Sequence, residues 1–265
     1  MGRRPAPAWA RAYLTLTLIL AFLPAVVILI GAVGTKLGWW SWKIGFVAVM
    51  VRGPMGVGWA PALTTLAIVV ALVGLVISIG YGLWRRAFTA LVVALLTMGA
   101  FIVMGGQAKK APPIHDVATD WSDPMMFSDK VMQDRGPGAN PVAPDGMIAS
   151  GALAGRKVSD INAKTCPGAK PILLATAPSE AYATAKKALT ADGLKIVTDD
   201  PTASRLEAVA TSFWYDFKDD VLVRVKPQGA GSRIDIRSVS RVGVSDLGQN
   251  CKRVTRLAAA MAQGK

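Results

Sequence analysis

Three long stretches near the start of the chain carry no charged side chain, and the region after residue 165 alternates between apolar and polar positions. Between Arg11 and Lys36 lie 24 uncharged residues, including the apolar run from Leu14 to Ile30; between Arg52 and Arg85 lie 32, and between Arg86 and Lys109 lie 22. At about 1.5 Å per residue, helices of this length cross the roughly 30 Å hydrocarbon layer of a bilayer. The pattern predicts three spanning helices at about residues 12–34, 61–82 and 87–105, the second beginning after Pro54, Gly56 and Gly58. The third is short, which sets a Trp84-Arg85-Arg86 turn at the interface. Trp39, Trp40 and Trp42 precede only eight apolar residues, Ile44 to Val51, so this segment is predicted to lie in the interface, with a lipid-binding or partner-binding loop as the alternative. Gly74, Ser78 and Gly82 recur every four residues and predict close helix packing within the bundle. Residues 1–30 also resemble a signal peptide, but no small-x-small cleavage site follows and two further apolar segments need a membrane. The first helix is therefore read as an uncleaved anchor.

Residues 1–108 thus form a transmembrane anchor, and residues 109–165 a segment interrupted by Ala111-Pro112-Pro113, Gly136-Pro137-Gly138 and Pro141 to Asp145. Extended chain is expected there rather than helix. From Asp116 to Asp134 five acids, Asp116, Asp120, Asp123, Asp129 and Asp134, stand against a single base, Lys130, so this stretch is locally acidic.

From Cys166 to the end the periodicity predicts a strand at Pro171–Ala175, a helix from an N-cap at Ser179 to Leu189 stopped by Gly193, and a strand at Leu194–Thr198 broken by Asp199-Asp200-Pro201. Strands at Arg205–Thr211, Val221–Lys226 and Arg233–Ser240 follow. A last helix from Asp246 to Met261 carries the stripe Leu247, Cys251, Val254, Ala258, Met261. The fold class is α+β: three N-terminal transmembrane helices, then a small antiparallel sheet with two helices on one face, in a domain spanning 166–265. If Lys226 pairs with Arg233, then Val225 meets Ile234 and Val223 meets Ile236 on the core face, while Arg224 meets Asp235 and Leu222 meets Arg237 on the other. That other face carries Arg224, Lys226, Arg233, Asp235, Arg237 and Glu207, mostly positive. The acidic segment is expected to fold back onto it, held by Trp121, Met125, Met126 and Phe127.

Charge sharpens the division. The chain of 265 residues carries 30 basic and 17 acidic residues, a net +13, with a mean hydropathy of +0.39. The first 105 residues hold eight charges, all basic, so the remainder has 22 basic and 17 acidic residues, a net +5. With the N-terminus inside, the flanking basic residues number five on each side, so the positive-inside rule is nearly silent; Arg3, Arg4 and Arg11 ahead of the first helix favour an inside N-terminus and an outside domain. In a bacterium that reads as a multi-pass inner-membrane protein with a periplasmic domain. The basic excess is explained by topology, and nucleic acid is not expected as a partner. Membrane lipid and another membrane or envelope protein are.

One histidine and two cysteines exclude the usual zinc sites, and neither metal nor cofactor is expected. An oxidising compartment favours a disulfide between Cys166 and Cys251; the alternative is a buried thiol at Cys251. His115 with Asp116 is the candidate acid–base pair of a cryptic enzyme, with Ser238, Ser240 and Ser245 within conceivable reach. Against it, Ser245 or Asp246 suits a cap of the last helix. Asp199-Asp200 and Asp219-Asp220 are candidate acid pairs, more naturally turn residues. Arg224, Arg233, Arg237 and Arg241 are candidates for an anionic headgroup, and Trp214 and Asp219-Asp220 complete the candidate binding set.

Pro113-Ile114-His115-Asp116-Val117-Ala118-Thr119-Asp120, Arg205-Leu206-Glu207-Ala208 with Thr211-Ser212-Phe213-Trp214, Gly231 through Gly243, and Ser245-Asp246-Leu247-Gly248-Gln249-Asn250 occur in the order found in the domain-of-unknown-function family 1499. The chain resembles that family over about residues 111–260, with Tyr215 standing where its pattern has glycine. The resemblance implies a domain often attached to a membrane, with no accepted activity or cofactor. A non-catalytic binding or accessory module is the leading expectation, ahead of the cryptic enzyme and the headgroup binder.

Overall fold

The first and third uncharged runs become helices longer than the runs themselves, and the second a helix of 21 residues inside its run. The computed structural model describes residues 5–53, 56–79, 81–148 and 153–264, so Arg3, Arg4 and Pro54 lie outside the described residues. Helices α1 (Ala8–Lys36), α2 (Trp59–Ile79) and α3 (Trp84–Lys110) are each long and apolar enough to cross a membrane. α3 has 27 residues because Arg85, Arg86, Lys109 and Lys110 are helical rather than flanking turns. Side-chain charge does not interrupt the backbone hydrogen bonds of a helix, and long aliphatic stems let the charged ends reach water.

The chain divides into two compact units, the first comprising Met1–Ala108 with Phe213–Asp216 and the second Lys109–Ser212 with Phe217–Lys265. In the first, α1 and α2 pack closely, and the Tyr13 hydroxyl donates to the Val70 carbonyl at 3.0 Å. A β-carbon on Gly74 would stand 3.2 Å from Leu14 and 3.4 Å from Ala87, so small size there lets both neighbouring helices approach. Gly82 is not part of that stripe: it sits in the turn before α3 at a φ of +69°, a conformation glycine adopts without strain. Lys43–Val51 forms a π-helix folded back on the last turns of α1. There the Gly31 carbonyl accepts from the Trp40 indole at 3.1 Å, and a β-carbon on Gly31 would fall 2.5 Å from the Gly45 carbonyl oxygen.

The second unit is built on a six-stranded antiparallel sheet. Its strands are β1 (Asp116–Ala118), β2 (Ile172–Leu174), β3 (Lys195–Asp200), β4 (Arg205–Thr211), β5 (Lys218–Gln228) and β6 (Gly231–Ser240). The order is β1-β6-β5-β4-β3, with β2 pairing β6 beside β1. In the β5–β6 hairpin Lys226 pairs with Arg233, Val225 with Ile234, Arg224 with Asp235, Val223 with Ile236 and Leu222 with Arg237, the expected register. Its inward residues join Leu206 and Ala208 in a core covered by α5 (Val158–Thr165), α6 (Pro178–Ala191) and α7 (Gln249–Ala262).

Three local expectations are corrected. α6 starts with Pro178 at its first position, where a missing amide hydrogen costs nothing, so Ser179 lies inside the helix rather than capping it. Asp199 and Asp200 remain in β3, which continues past Thr198 after a bulge between Ile196 and Thr198. Leu247 is exposed at a φ of +54° ahead of α7, whose buried face is Asn250, Val254, Leu257 and Met261.

The 109–165 segment contains two short helices, where extended chain was expected. α4 (Asp129–Arg135) is capped by Ser128, whose hydroxyl accepts from the Val131 amide, and is ended by Gly136 at a φ of +73°. α5 lies with α6 and α7 on the core side, whereas the stretch around α4 lies on the opposite sheet face, where Met125, Phe127 and Val131 pack with Leu222 and Val239 in a second apolar cluster. Met126 stays 38% exposed and contributes less.

Candidate functional site

Strand alternation sends every second side chain of β4, β5 and β6 away from the helices, and the cations among them meet acids supplied by the preceding segment. Arg237 is 1% exposed. Its guanidinium makes a two-pronged contact with Asp116, from Nε at 3.0 Å and Nη2 at 2.6 Å, and also donates to the carbonyls of Met125 and Ala143. The Trp121 ring lies 5.2 Å from it. Arg233 pairs with Asp120 and Asp235, and Arg224 with Asp123 and Asp235. Lys226 holds Asp123, and this hydrogen bond together with Arg224 keeps that carboxyl below its usual pKa.

The polarity reverses around Asp220. This buried carboxylate accepts from Arg135 of α4 at 2.5 Å and from Arg241 at 2.7 Å, while Glu207 accepts from the Ser128 amide at 2.7 Å and hydroxyl at 2.5 Å. Asp219, one residue away, points to the helix side and accepts from Arg253 of α7 at 2.8 Å. The Asp219-Asp220 pair thus lies within a strand and diverges across it, rather than forming a turn. Asp199 accepts from Tyr182 and Lys186, and Asp200 from the Ala203 amide in the following turn.

Asn250, fully buried, joins several elements near His115. Its amide nitrogen donates to the Ser240 hydroxyl at 2.9 Å and the His115 carbonyl at 3.0 Å; its oxygen accepts from Ser238 and Arg253, each at 2.6 Å. Ser238 and Ser240 are therefore bonded to Asn250, and Ser245 donates to the Pro112 carbonyl. The N-cap of α7 is Gly248 rather than Ser245 or Asp246; Asp246, two residues ahead of it, accepts from the Gly248 amide at 2.8 Å and the Asn250 amide at 2.9 Å. Sequence reading passed over Asn250 because a polar residue in an apolar stripe registers as off-face. The available signal was its spacing, four residues before Val254 and four after Asp246.

His115 is half-buried. Burial lowers its pKa from the usual 6.5, opposed by Asp116, the Val244 carbonyl and Asp246, with Arg135 adding to the lowering. The unfolded chain takes up this proton at higher pH than the folded one, so the stabilisation present above pH 6.5 is lost as pH falls through the lowered folded value. His115→Gln is expected to flatten that part of the curve of unfolding midpoint against pH; an unchanged slope would show that another group carries it.

Trp214 is 50% exposed at the tip of the β4–β5 connection, edge-on to Phe213 with ring centroids 4.9 Å apart. Cys166, at the end of α5, is bonded to Cys251 in the first turn of α7. Among the described residues no group of three or more His, Cys, Asp or Glu side chains is arranged to hold a metal ion.

The family described as protein of unknown function (DUF1499) matches residues 116–261. The chain belongs to this family. Its match runs from Asp116, the partner of Arg237, to Met261, the last buried residue of α7. DUF1499 therefore takes in the acidic segment as well as the sheet, and the three apolar helices precede it. No curated protein matches the chain.

Proposed function

We propose that this chain is a membrane-anchored protein whose C-terminal domain faces an oxidising compartment, in a bacterium the periplasm. There it serves as a non-catalytic binding or accessory module for an envelope component or membrane partner. The Cys166–Cys251 bond carries the reading, because such bonds persist outside the reducing cytosol. The helix count agrees: three spans put the two ends of the chain on opposite sides, and Arg3, Arg4 and Arg11 favour an inside N-terminus. The non-catalytic part is supported by what the polar side chains do. Asp116, Asp219 and Asp220 hold arginines, and Ser238 and Ser240 hold Asn250, so each works to join one segment of chain to another. Alkylation of the full chain in denaturant without reductant, followed by intact mass, tests the location: no adduct is expected, and two adducts on protein recovered from the membrane would overturn it.

A further inference from the structure

Nine arginines lie after residue 110, and eight of them, Arg156 apart, have a carboxylate within ion-pair distance. Among the described residues Arg156 has no such partner. It lines a cleft of about 620 Å3 within the second unit, together with Lys109, Lys110 and Lys164, whose ammonium groups are likewise unpaired among the described residues. No carboxylate is among the lining residues, and Pro113 and Ile161 contribute apolar wall. A domain that matches its other arginines to acids leaves four cations among the lining residues of one cleft of ligand size.

Chain continuity ties the start of this cleft to the end of a helix long and apolar enough to span a membrane. Lys109 and Lys110 are the last residues of α3. A helix crossing the hydrocarbon ends with its lysines at headgroup level, their stems lying along apolar surface. The cleft then begins where lipid phosphates are, with cations for the phosphate and apolar side chains for the glycerol and upper acyl region.

We propose that this cleft binds the phosphate of an anionic phospholipid in the leaflet from which α3 emerges, an inference that rests on α3 spanning the membrane. It is separate from the sheet face of Arg224, Arg233, Arg237 and Arg241, whose charges are matched within the domain. A cation near an anionic lipid surface contributes about fivefold in affinity, so two contribute roughly 25-fold.

The test uses the full chain in detergent and native mass spectrometry with added phosphatidylglycerol or phosphatidylcholine. Arg156→Gln with Lys164→Gln removes two exposed cations and leaves the helix-terminal lysines intact. Lys187→Gln with Lys195→Gln makes the same charge change at exposed positions outside the cleft lining. The expected result is preferential retention of phosphatidylglycerol, lost roughly 25-fold in the cleft variant and unchanged in the control. Equal retention of both lipids, or equal loss in both variants, would overturn the site. Displacement of the lipid by inorganic phosphate would overturn the lipid assignment in favour of a free phosphate. Extraction of the wild-type chain from membranes at alkaline pH separates the two readings: release would defeat the tether, whereas a chain that stays bound without lipid preference defeats only the cleft.

Discussion

Arg237→Met is expected to lower the stability of the domain by about 3 to 5 kcal/mol, because it leaves a carboxylate buried without its cation. Asp116 is 5% exposed and faces Arg237 through two hydrogen bonds. The same guanidinium ties down three further points of the preceding segment: the Met125 carbonyl at 2.6 Å, the Ala143 carbonyl at 2.5 Å and the Trp121 ring. One side chain on β6 thus fixes residues 116–143 against the sheet. Arg237→Met with Asp116→Leu should recover part of the loss, since replacing a buried pair by apolar groups is far less costly than orphaning one member. The two carbonyls remain unpaired in that double variant, so recovery is incomplete. Urea midpoints followed by tryptophan fluorescence decide it. A single-variant loss under about 1 kcal/mol, the range of exposed ion pairs, would mean that Arg237 is not a structural anchor.

The second large effect is expected from Cys166→Ala with Cys251→Ala. The bond closes a separation of 85 residues. In the chain-entropy treatment its loss costs roughly 4 to 5 kcal/mol. The enclosed loop contains β2, α6 and β3 to β6, so the bond restrains nearly the whole sheet in the unfolded chain. Reduced wild-type protein should unfold at the same midpoint as the alanine variant. A reduced protein as stable as the oxidised one would show that the core of Leu189, Leu206, Ile236 and Val254 holds the ends together without help.

The β5–β6 register was legible because a one-residue shift would expose Val221, Val223 and Val225 to water, which leaves one pairing that buries both strands' apolar residues. α4 and α5, of 7 and 8 residues, were not: each is held by contacts to distant residues, and a helix that short has little periodicity to read. Ser128 caps α4 while bonded to Glu207, 79 residues away. The same distance effect governed the candidate site. Arg224, Arg233, Arg237 and Arg241 were recognisable as a cluster of cations on one face, but their partners lie in a segment about a hundred residues earlier, and Arg135 reverses the expected polarity by meeting Asp220. Alternation assigns a charge to a face; it does not say which other chain segment lies upon it.

The side of the membrane on which the domain lies is measured most directly by fusing a reporter after Lys110, the last residue of α3. Alkaline phosphatase, which gains activity only after export, is expected to be active in that position. A reporter that works only in the cytoplasm, active at the same junction, would contradict the orientation and remove the reason for Cys166 and Cys251 to be paired in the cell.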